Sequence, residues 1–193
     1  DGVQVANAEI YSPDGKQNVS SYVKLDREFQ VYAMTESRYM NGFWIGTGSS
    51  SGLCYYSFDD GRLHELTLEK TQEIDEVHSI FEANDTSSGS GFCKVILDKG
   101  KPGDIRIKSS KHYRFFYEQQ ELNLFYSMVS EGDSLLWLGS RQRGLIRFNR
   151  ETDEYQIYSL NEMLHKSVDD ILCLHWYKKD QLYVGTTSGL VRV

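Results

Sequence analysis

Short apolar runs separated by polar turns recur along the chain, and three of these runs share one template. They read FWIGTGSSSGLCYY at 43–56, LWLGSRQRGLIRF at 136–148 and LYVGTTSGLVRV at 182–193. Each run has an aromatic residue, an aliphatic residue, Gly and Thr or Ser, then a short polar loop, and then Gly followed by an aliphatic residue. Val, Ile, Leu and Tyr dominate the runs, so each is predicted to form two β-strands joined by the polar loop.

The spacing of the runs indicates an internal repeat with one disguised copy. Trp137 and Tyr183 are 46 residues apart, whereas Trp44 and Trp137 are 93 apart, close to twice that spacing. The copy between them is visible in two other matches. IDEVHSIF at 74–81 resembles VDDILCLH at 168–175, and GFCKV at 91–95 resembles GLIRF at 144–148. In this copy the aromatic strand is replaced by the polar sequence NDTSSGSG.

A repeat of about 40–50 residues with four short strands is typical of β-propeller blades. The expected fold is therefore all-β, with blades that are four-stranded antiparallel sheets whose strands we name a to d from the centre outward. In the last complete unit, strand d is predicted near 154–159, a at 171–176, b at 181–186 and c at 189–193. The chain is expected to form a single propeller segment, 1–193, with repeat units cut at strand c into 1–51, 52–90, 91–143 and 144–188 and a terminal strand 189–193.

Both ends of the chain read as strand c, since GVQV at 2–5 resembles GLVRV at 189–193. The chain is thus expected to hold about four blade-equivalents and to form an incomplete propeller, because ring closure pairs complementary strands from the two ends. We expect the open edges to be covered by remaining propeller blades, a second copy or a partner chain.

Composition and charge argue against two classes of partner, nucleic acids and membranes. The formal net charge is −7 and the pI is near 5.2, which argues against a nucleic acid ligand because no general positive field is available to bind phosphates. No stretch approaches the roughly 20 apolar residues of a membrane span, so no membrane contact is expected of this segment. Residues 1–30 also lack a signal-peptide pattern, and any export signal is expected to lie outside this chain.

The template resembles the two-component regulator propeller repeat, in which an Ile-rich inner strand is followed by LWIGT, GL and a strand ending in Tyr or Phe. Here the matching pairs are FWIGT with GLCYY, LWLGS with GLIRF, and LYVGT with GLVRV. In that family the repeats form propellers in the periplasmic sensor region of bacterial hybrid two-component histidine kinases, many of which respond to polysaccharide breakdown products. The resemblance implies a periplasmic or extracytoplasmic location, with kinase activity in regions that this chain does not contain.

Because strands a to d alternate in direction, the b–c and d–a loops are predicted to emerge on one face, which is the expected ligand-binding face. Arg141 and Arg143 are the leading candidates, since guanidinium groups bind sugar hydroxyls, carboxylates and sulfates. The full set of candidate ligand-binding residues is Arg141, Gln142, Arg143, Ser49, Ser50, Thr187, Asp75 and Asp169.

No catalytic residue, metal ligand or cofactor site is predicted. The carboxylates Asp75 and Glu76 recur as Asp169 and Asp170 at the same point of two blades, which favours a role in turn structure over catalysis. The five histidines show no metal-ligand spacing, and His78 and His175 are expected to lie on inner strands. The chain is therefore not expected to be an enzyme.

The sequence favours a ligand-sensing propeller module that binds an oligosaccharide and transmits the bound state through changed packing. A propeller that serves as a protein-interaction platform without a small ligand is the alternative. A propeller glycan hydrolase or lyase ranks third.

Overall fold

The computed structural model describes residues 30–48, 52–66, 77–82, 92–99, 105–122, 124–141, 144–168, 170–178 and 180–193. The chain divides into two compact units, 1–30 and 31–193. Apart from Gln30, every described residue belongs to the second unit. No helix within these described ranges is long and apolar enough to cross a membrane.

Two of the sheets are complete four-stranded blades. The first contains β1 (Gln30–Glu36), β2 (Gly42–Gly48), β3 (Leu53–Ser57) and β4 (Arg62–Leu66), in that spatial order. The strands follow each other in the sheet as they do in the chain, which is the arrangement predicted for strands a to d. A tight turn joins β3 to β4, and Gly61 has a positive φ of 66° in it.

The other complete blade contains β9 (Phe125–Glu131), β10 (Leu135–Ser140), β11 (Gly144–Asn149) and β12 (Tyr155–Ser159). All three strand pairs are antiparallel. A single helical turn, α1 (Leu160–Leu164), follows β12 and was not predicted from the sequence. The Ser159 side chain caps it by accepting a hydrogen bond from the backbone N–H of Glu162.

The last sheet has three described strands, β13 (Ile171–Tyr177), β14 (Gln181–Thr186) and β15 (Gly189–Arg192). Together with β12 at Tyr155–Ser159, these bounds match the predicted strands d, a, b and c to within about one residue. Trp44, Trp137 and Tyr183 occupy the predicted equivalent places on strand b, each opposite a residue of strand c.

The second blade departs from the template. Its described strands are β5 (Phe92–Lys99) and β6 (Ile105–Tyr113), followed by a short hairpin of β7 (Phe115–Tyr117) and β8 (Gln120–Leu122). Residues 77–82 were expected to belong to an inner strand, but no strand is assigned there. The backbone N–H of Val77 donates instead to the carbonyl of Thr47 in the first blade, at 3.0 Å.

Three buried clusters lie between consecutive sheets. The first joins Trp44, Leu53 and Tyr55 to Val77 and Cys93, and the second joins the β7–β8 hairpin and β5 to one face of β10 and β11. The third joins the opposite face of β10 and β11 to β13 and β14. Alternate residues of β10 therefore pack on opposite neighbours, as stacked blades require.

The glycines of strand b permit this stacking. A Cβ on Gly46 would lie 2.3 Å from the carbonyl oxygen of Val77 in the next blade, and a Cβ on Gly139 would lie 2.5 Å from Cγ2 of Ile171. At Gly185 the close neighbour is Cys173 in the same sheet. The described part of the chain is thus an all-β array of propeller blades that does not close into a barrel, as the sequence predicted.

Candidate functional site

Two of the predicted binding residues meet at Asp170, where the third and fourth blades adjoin. Arg141 follows strand b of the third blade, and its Nε lies 3.8 Å from Oδ2 of Asp170, just before the inner strand of the fourth. Thr187 lies in the b–c turn of that fourth blade. Its N–H donates to the Asp170 carbonyl at 3.1 Å, and its Oγ1 accepts from the Asp170 N–H at 3.3 Å. A b–c loop and a d–a loop therefore meet on the predicted face.

This cluster is open to solvent. The side chain of Arg141 is 56% exposed, so its ion pair with Asp170 contributes at most about 1 kcal/mol to folding. Its backbone N–H is fixed by donation to the carbonyl of Leu124 at 2.9 Å. The guanidinium is consequently positioned at its base and accessible at its tip, which suits a ligand contact.

The other six predicted binding residues lie outside the described residues. They are Gln142, Arg143, Ser49, Ser50, Asp75 and Asp169. Their role stays a prediction.

A row of aromatic rings crosses the inner strands on the same side. Tyr32 of β1 stacks on His78 with ring centres 4.3 Å apart and planes at 17°. His78 in turn meets Tyr126 of β9 edge-on, at 5.6 Å and 77°. Each ring comes from a different blade, near the start of its inner segment. That is the end of strand a at which the d–a and b–c loops emerge.

The backbone holds the first ring of this row in place. A Cβ on Gly48 would lie 2.4 Å from Cε2 of Tyr32, so the ring packs directly over the glycine at the end of β2. Tyr32 is nevertheless 39% exposed. In the fourth blade the matching position is Leu172, an aliphatic residue that is 47% exposed.

Sequence reasoning placed His78 on an inner strand but did not identify the aromatic row as a site. The match between 74–81 and 168–175 aligns His78 with Leu172. Tyr32 and Tyr126 lie in the inner strands that precede the runs at 43–56 and 136–148. The sequences of these two inner strands do not resemble the aligned segments 74–81 and 168–175. Tyr32 lies 14 residues before Gly46 and Tyr126 lies 13 residues before Gly139, and the second copy lacks a strand b glycine, so no fixed spacing in the sequence marks the row.

Two of the titratable groups with shifted pKa values have structural explanations. Burial raises the pKa of Cys93 to about 12, so this thiol is not ionised at neutral pH. The hydrogen bond from Arg147 lowers the pKa of Glu131, whose carboxylate also accepts from Nε1 of Trp137 at 2.8 Å. Within the described residues, no group of three or more His, Cys, Asp and Glu is arranged to hold a metal ion.

Comparison with known proteins identifies the fold through solved structures. No protein-family model matches the sequence. No curated protein matches it either. The extracellular domain of BT3049 from B. thetaiotaomicron, described as a hybrid two component system, superposes with a TM-score of 0.63 at 16% identity, over 92% of this chain and 24% of that one.

Two further structures show the same architecture. The extracellular domain of BT4673 from B. thetaiotaomicron, also described as a hybrid two component system, gives a TM-score of 0.60 at 19% identity, over 87% of this chain and 21% of that one. The Pan2 WD40 domain of Neurospora crassa gives 0.51 at 13% identity, over 82% of this chain and 44% of that one. The chain spans about a fifth to a quarter of the two bacterial domains, and the three structures share its propeller fold.

Proposed function

We propose that this chain is a ligand-sensing propeller segment from the extracytoplasmic part of a bacterial two-component signalling protein. The sequence template supports this assignment. The fold similarity to two extracellular domains described as parts of hybrid two component systems supports it further. The chain is proposed to be a binding module, with no catalytic role of its own.

We propose an oligosaccharide as the ligand, bound on the face of the b–c and d–a loops. The aromatic row of Tyr32, His78 and Tyr126 is the observation that carries this proposal. Small-molecule sites combine apolar and aromatic surfaces with a few placed polar groups. Here the row supplies the surface on which sugar rings stack, and Arg141, Asp170 and Thr187 supply polar groups on the same face. Gln142, Arg143, Ser49, Ser50, Asp75 and Asp169 are proposed to complete it.

The row also provides a way to transmit the bound state. Its three rings belong to three consecutive blades, so a ligand stacked across them contacts each blade at once. A ligand shifts a conformational equilibrium only if it binds one arrangement more tightly than another. Binding across the row favours the blade spacing that brings the three rings against the sugar, and this changed packing is the proposed signal.

A thermal-shift screen with defined oligosaccharides tests the proposal, because a ligand that binds only the folded state raises Tm. Affinity for a hit is then measured by titration calorimetry for the native chain, Tyr32→Ala and Tyr126→Ala. Each substitution is expected to weaken binding about fivefold, since an aromatic contact contributes about 1 kcal/mol. Phe116→Ala removes a ring that is 50% exposed on the β7–β8 hairpin and serves as the control. Equal losses in all three variants would contradict the proposal.

The alternative, a protein-interaction platform, is favoured by exposed apolar side chains on the fourth sheet. Leu172, Tyr177 and Leu190 are 47%, 47% and 71% exposed. A platform would bind a protein partner through this sheet and would show no thermal shift with any oligosaccharide. The two functions are therefore separated by the same screen.

A further inference from the structure

Two arginines stack on one phenylalanine at the face opposite the aromatic row. Cζ of Arg38 lies 5.7 Å from the centre of the Phe81 ring, and Cζ of Arg150 lies 5.4 Å from it. Arg38 is in the a–b turn of the first blade and Arg150 begins the c–d turn of the third. Phe81 comes from the inner segment of the second blade. Three consecutive blades thus bring two guanidinium groups to within 11.1 Å of each other, the sum of the two distances.

No counterion for either guanidinium lies among the residues that the structure describes. Among the described residues, the side chains of Arg38 and Arg150 form no ion pair and no hydrogen bond, and Nε of Arg150 is buried without a partner. Arg147 shows the contrast, since its Nε and Nη2 both donate to the Glu131 carboxylate at 2.8 Å. A buried donor without an acceptor is costly, so an acceptor placed against the unpaired Nε of Arg150 would be favourable.

The neighbouring carboxylates are already engaged by other groups. Glu82 adjoins Phe81 in sequence, but its oxygens accept from Oγ of Ser37 at 2.8 Å, from the backbone N–H of Arg38 at 2.5 Å and from Nε1 of Trp44 at 2.9 Å. In the c–d turn of the third blade, Asp153 accepts from Lys111 and Tyr113. Neither Glu82 nor Asp153 is therefore paired with the side chain of Arg38 or Arg150.

A third cation strengthens the local positive charge. Nζ of Lys94 in β5 donates to the carbonyl oxygen of Arg150 at 3.5 Å. Lys94 thus adds a positive charge beside Arg150, in a chain whose net charge is −7. A concentrated positive site in an acidic protein selects for anions, because the remaining surface repels them.

We propose that Arg38 and Arg150 form an oxyanion-binding site that takes the carboxylate, sulfate or phosphate group of a small ligand. A guanidinium presents a planar fork of N–H donors that matches these groups, and stacking on an aromatic ring fixes the plane of the fork. The site lies on the face of the a–b and c–d turns and does not depend on the proposed oligosaccharide site. An occupant would hold the first and third blades together across the second.

Thermal shift and titration calorimetry with three probes test this site. Sodium sulfate, sodium phosphate and sodium glucuronate are each compared with sodium chloride at matched ionic strength. At least one probe is expected to raise Tm above the chloride value. Binding of sulfate or phosphate would identify a free ion as sufficient, whereas binding of glucuronate alone would identify a sugar acid. If no probe exceeds chloride, the proposal is wrong.

Variants locate the binding. Arg38→Gln and Arg150→Gln are each expected to lower the affinity of the active probe about tenfold or more, because each removes a charge-assisted contact. Arg62→Gln, an exposed arginine in β4, is the matched control and is expected to keep native affinity. Loss of affinity in Arg62→Gln, or its retention in Arg38→Gln, would overturn the site. Arg38 is exposed, so Arg38→Gln remains decisive even if Arg150→Gln does not fold.

Discussion

Ile171 of β13 fills the space that Gly139 of β10 leaves open, with Cγ2 of Ile171 2.5 Å from the position that a Cβ on residue 139 would take. Gly139→Ala is therefore expected to destabilise the third cluster by about 1–3 kcal/mol through overpacking. Urea unfolding of Gly139→Ala, Ile171→Ala and the double variant measures the coupling. The double variant should be more stable than the sum of the single effects predicts. Simple additivity would show that the two residues do not share this space.

The position of Gly139 was predictable because the template places a glycine at the same point of strand b in three copies. The template fixes an aromatic residue, an aliphatic residue and Gly on strand b, and period-two alternation then assigns their faces. The strand bounds of the third and fourth blades follow from the same pattern. Residues 77–82 and the hairpin at 115–122 did not follow, because the second copy has lost the strand b signal and 98–123 matches the template only loosely.

The aromatic row and the arginine pair were beyond sequence reasoning for a different physical reason. Tyr32 and His78 are 46 residues apart, and Arg38 and Arg150 are 112 apart. Their contacts depend on how consecutive blades are angled, which alternation within a strand does not determine. The division into repeat units cut at strand c stays a proposal. Each buried cluster joins residues of two sheets, so the clusters do not mark the boundaries of a unit.

Glu82 is expected to be a main contributor to the joint between the first two blades. It is 8% exposed and accepts hydrogen bonds from Ser37, Arg38 and Trp44. Glu82→Ala leaves these donors without an acceptor and should lower the free energy of unfolding by about 3 kcal/mol or more. Glu82→Gln keeps one acceptor oxygen and is expected to lose less. Equal losses in urea unfolding would mean that the intact carboxylate is required and that one acceptor oxygen restores none of the stability.

Part of the acid sensitivity of this fold is expected to come from Glu131. The hydrogen bond from Arg147 lowers the pKa of this carboxyl in the folded state, so its stabilising effect is present above the unfolded pKa of about 4.3 and is lost as pH falls through the folded value. The Glu131 side chain is 35% exposed, so the contribution is at most about 1 kcal/mol. The stability difference between the native chain and Glu131→Gln should be larger at pH 7 than at pH 3. A difference independent of pH would remove Glu131 from the explanation.

Gly48 contacts Tyr32, the first ring of the aromatic row, so a substitution at Gly48 tests whether the position of that ring matters for ligand binding. A Cβ at residue 48 would displace the Tyr32 ring, because Cε2 of that ring lies 2.4 Å away. Gly48→Ala is expected to weaken binding of the oligosaccharide found by the screen about as much as Tyr32→Ala, roughly fivefold for the loss of one aromatic contact. The double variant should bind no more weakly than either single variant. Additive losses would mean that Gly48 acts on binding by another route.

The edge of the fourth sheet is expected to drive self-association of the isolated chain. In the described residues β15 pairs with β14 on one side only, and Leu190 on this strand is 71% exposed. An edge strand with exposed N–H and C=O groups and apolar side chains is avid for another strand, and a lysine on the edge opposes such pairing. Light scattering after size-exclusion chromatography should therefore show a concentration-dependent dimer for the native chain and mainly monomer for Leu190→Lys. Phe116→Lys places the same charge at an exposed apolar position on the β7–β8 hairpin and should leave the dimer intact. A native chain that is monomeric at every concentration would show that this edge does not pair with a second copy.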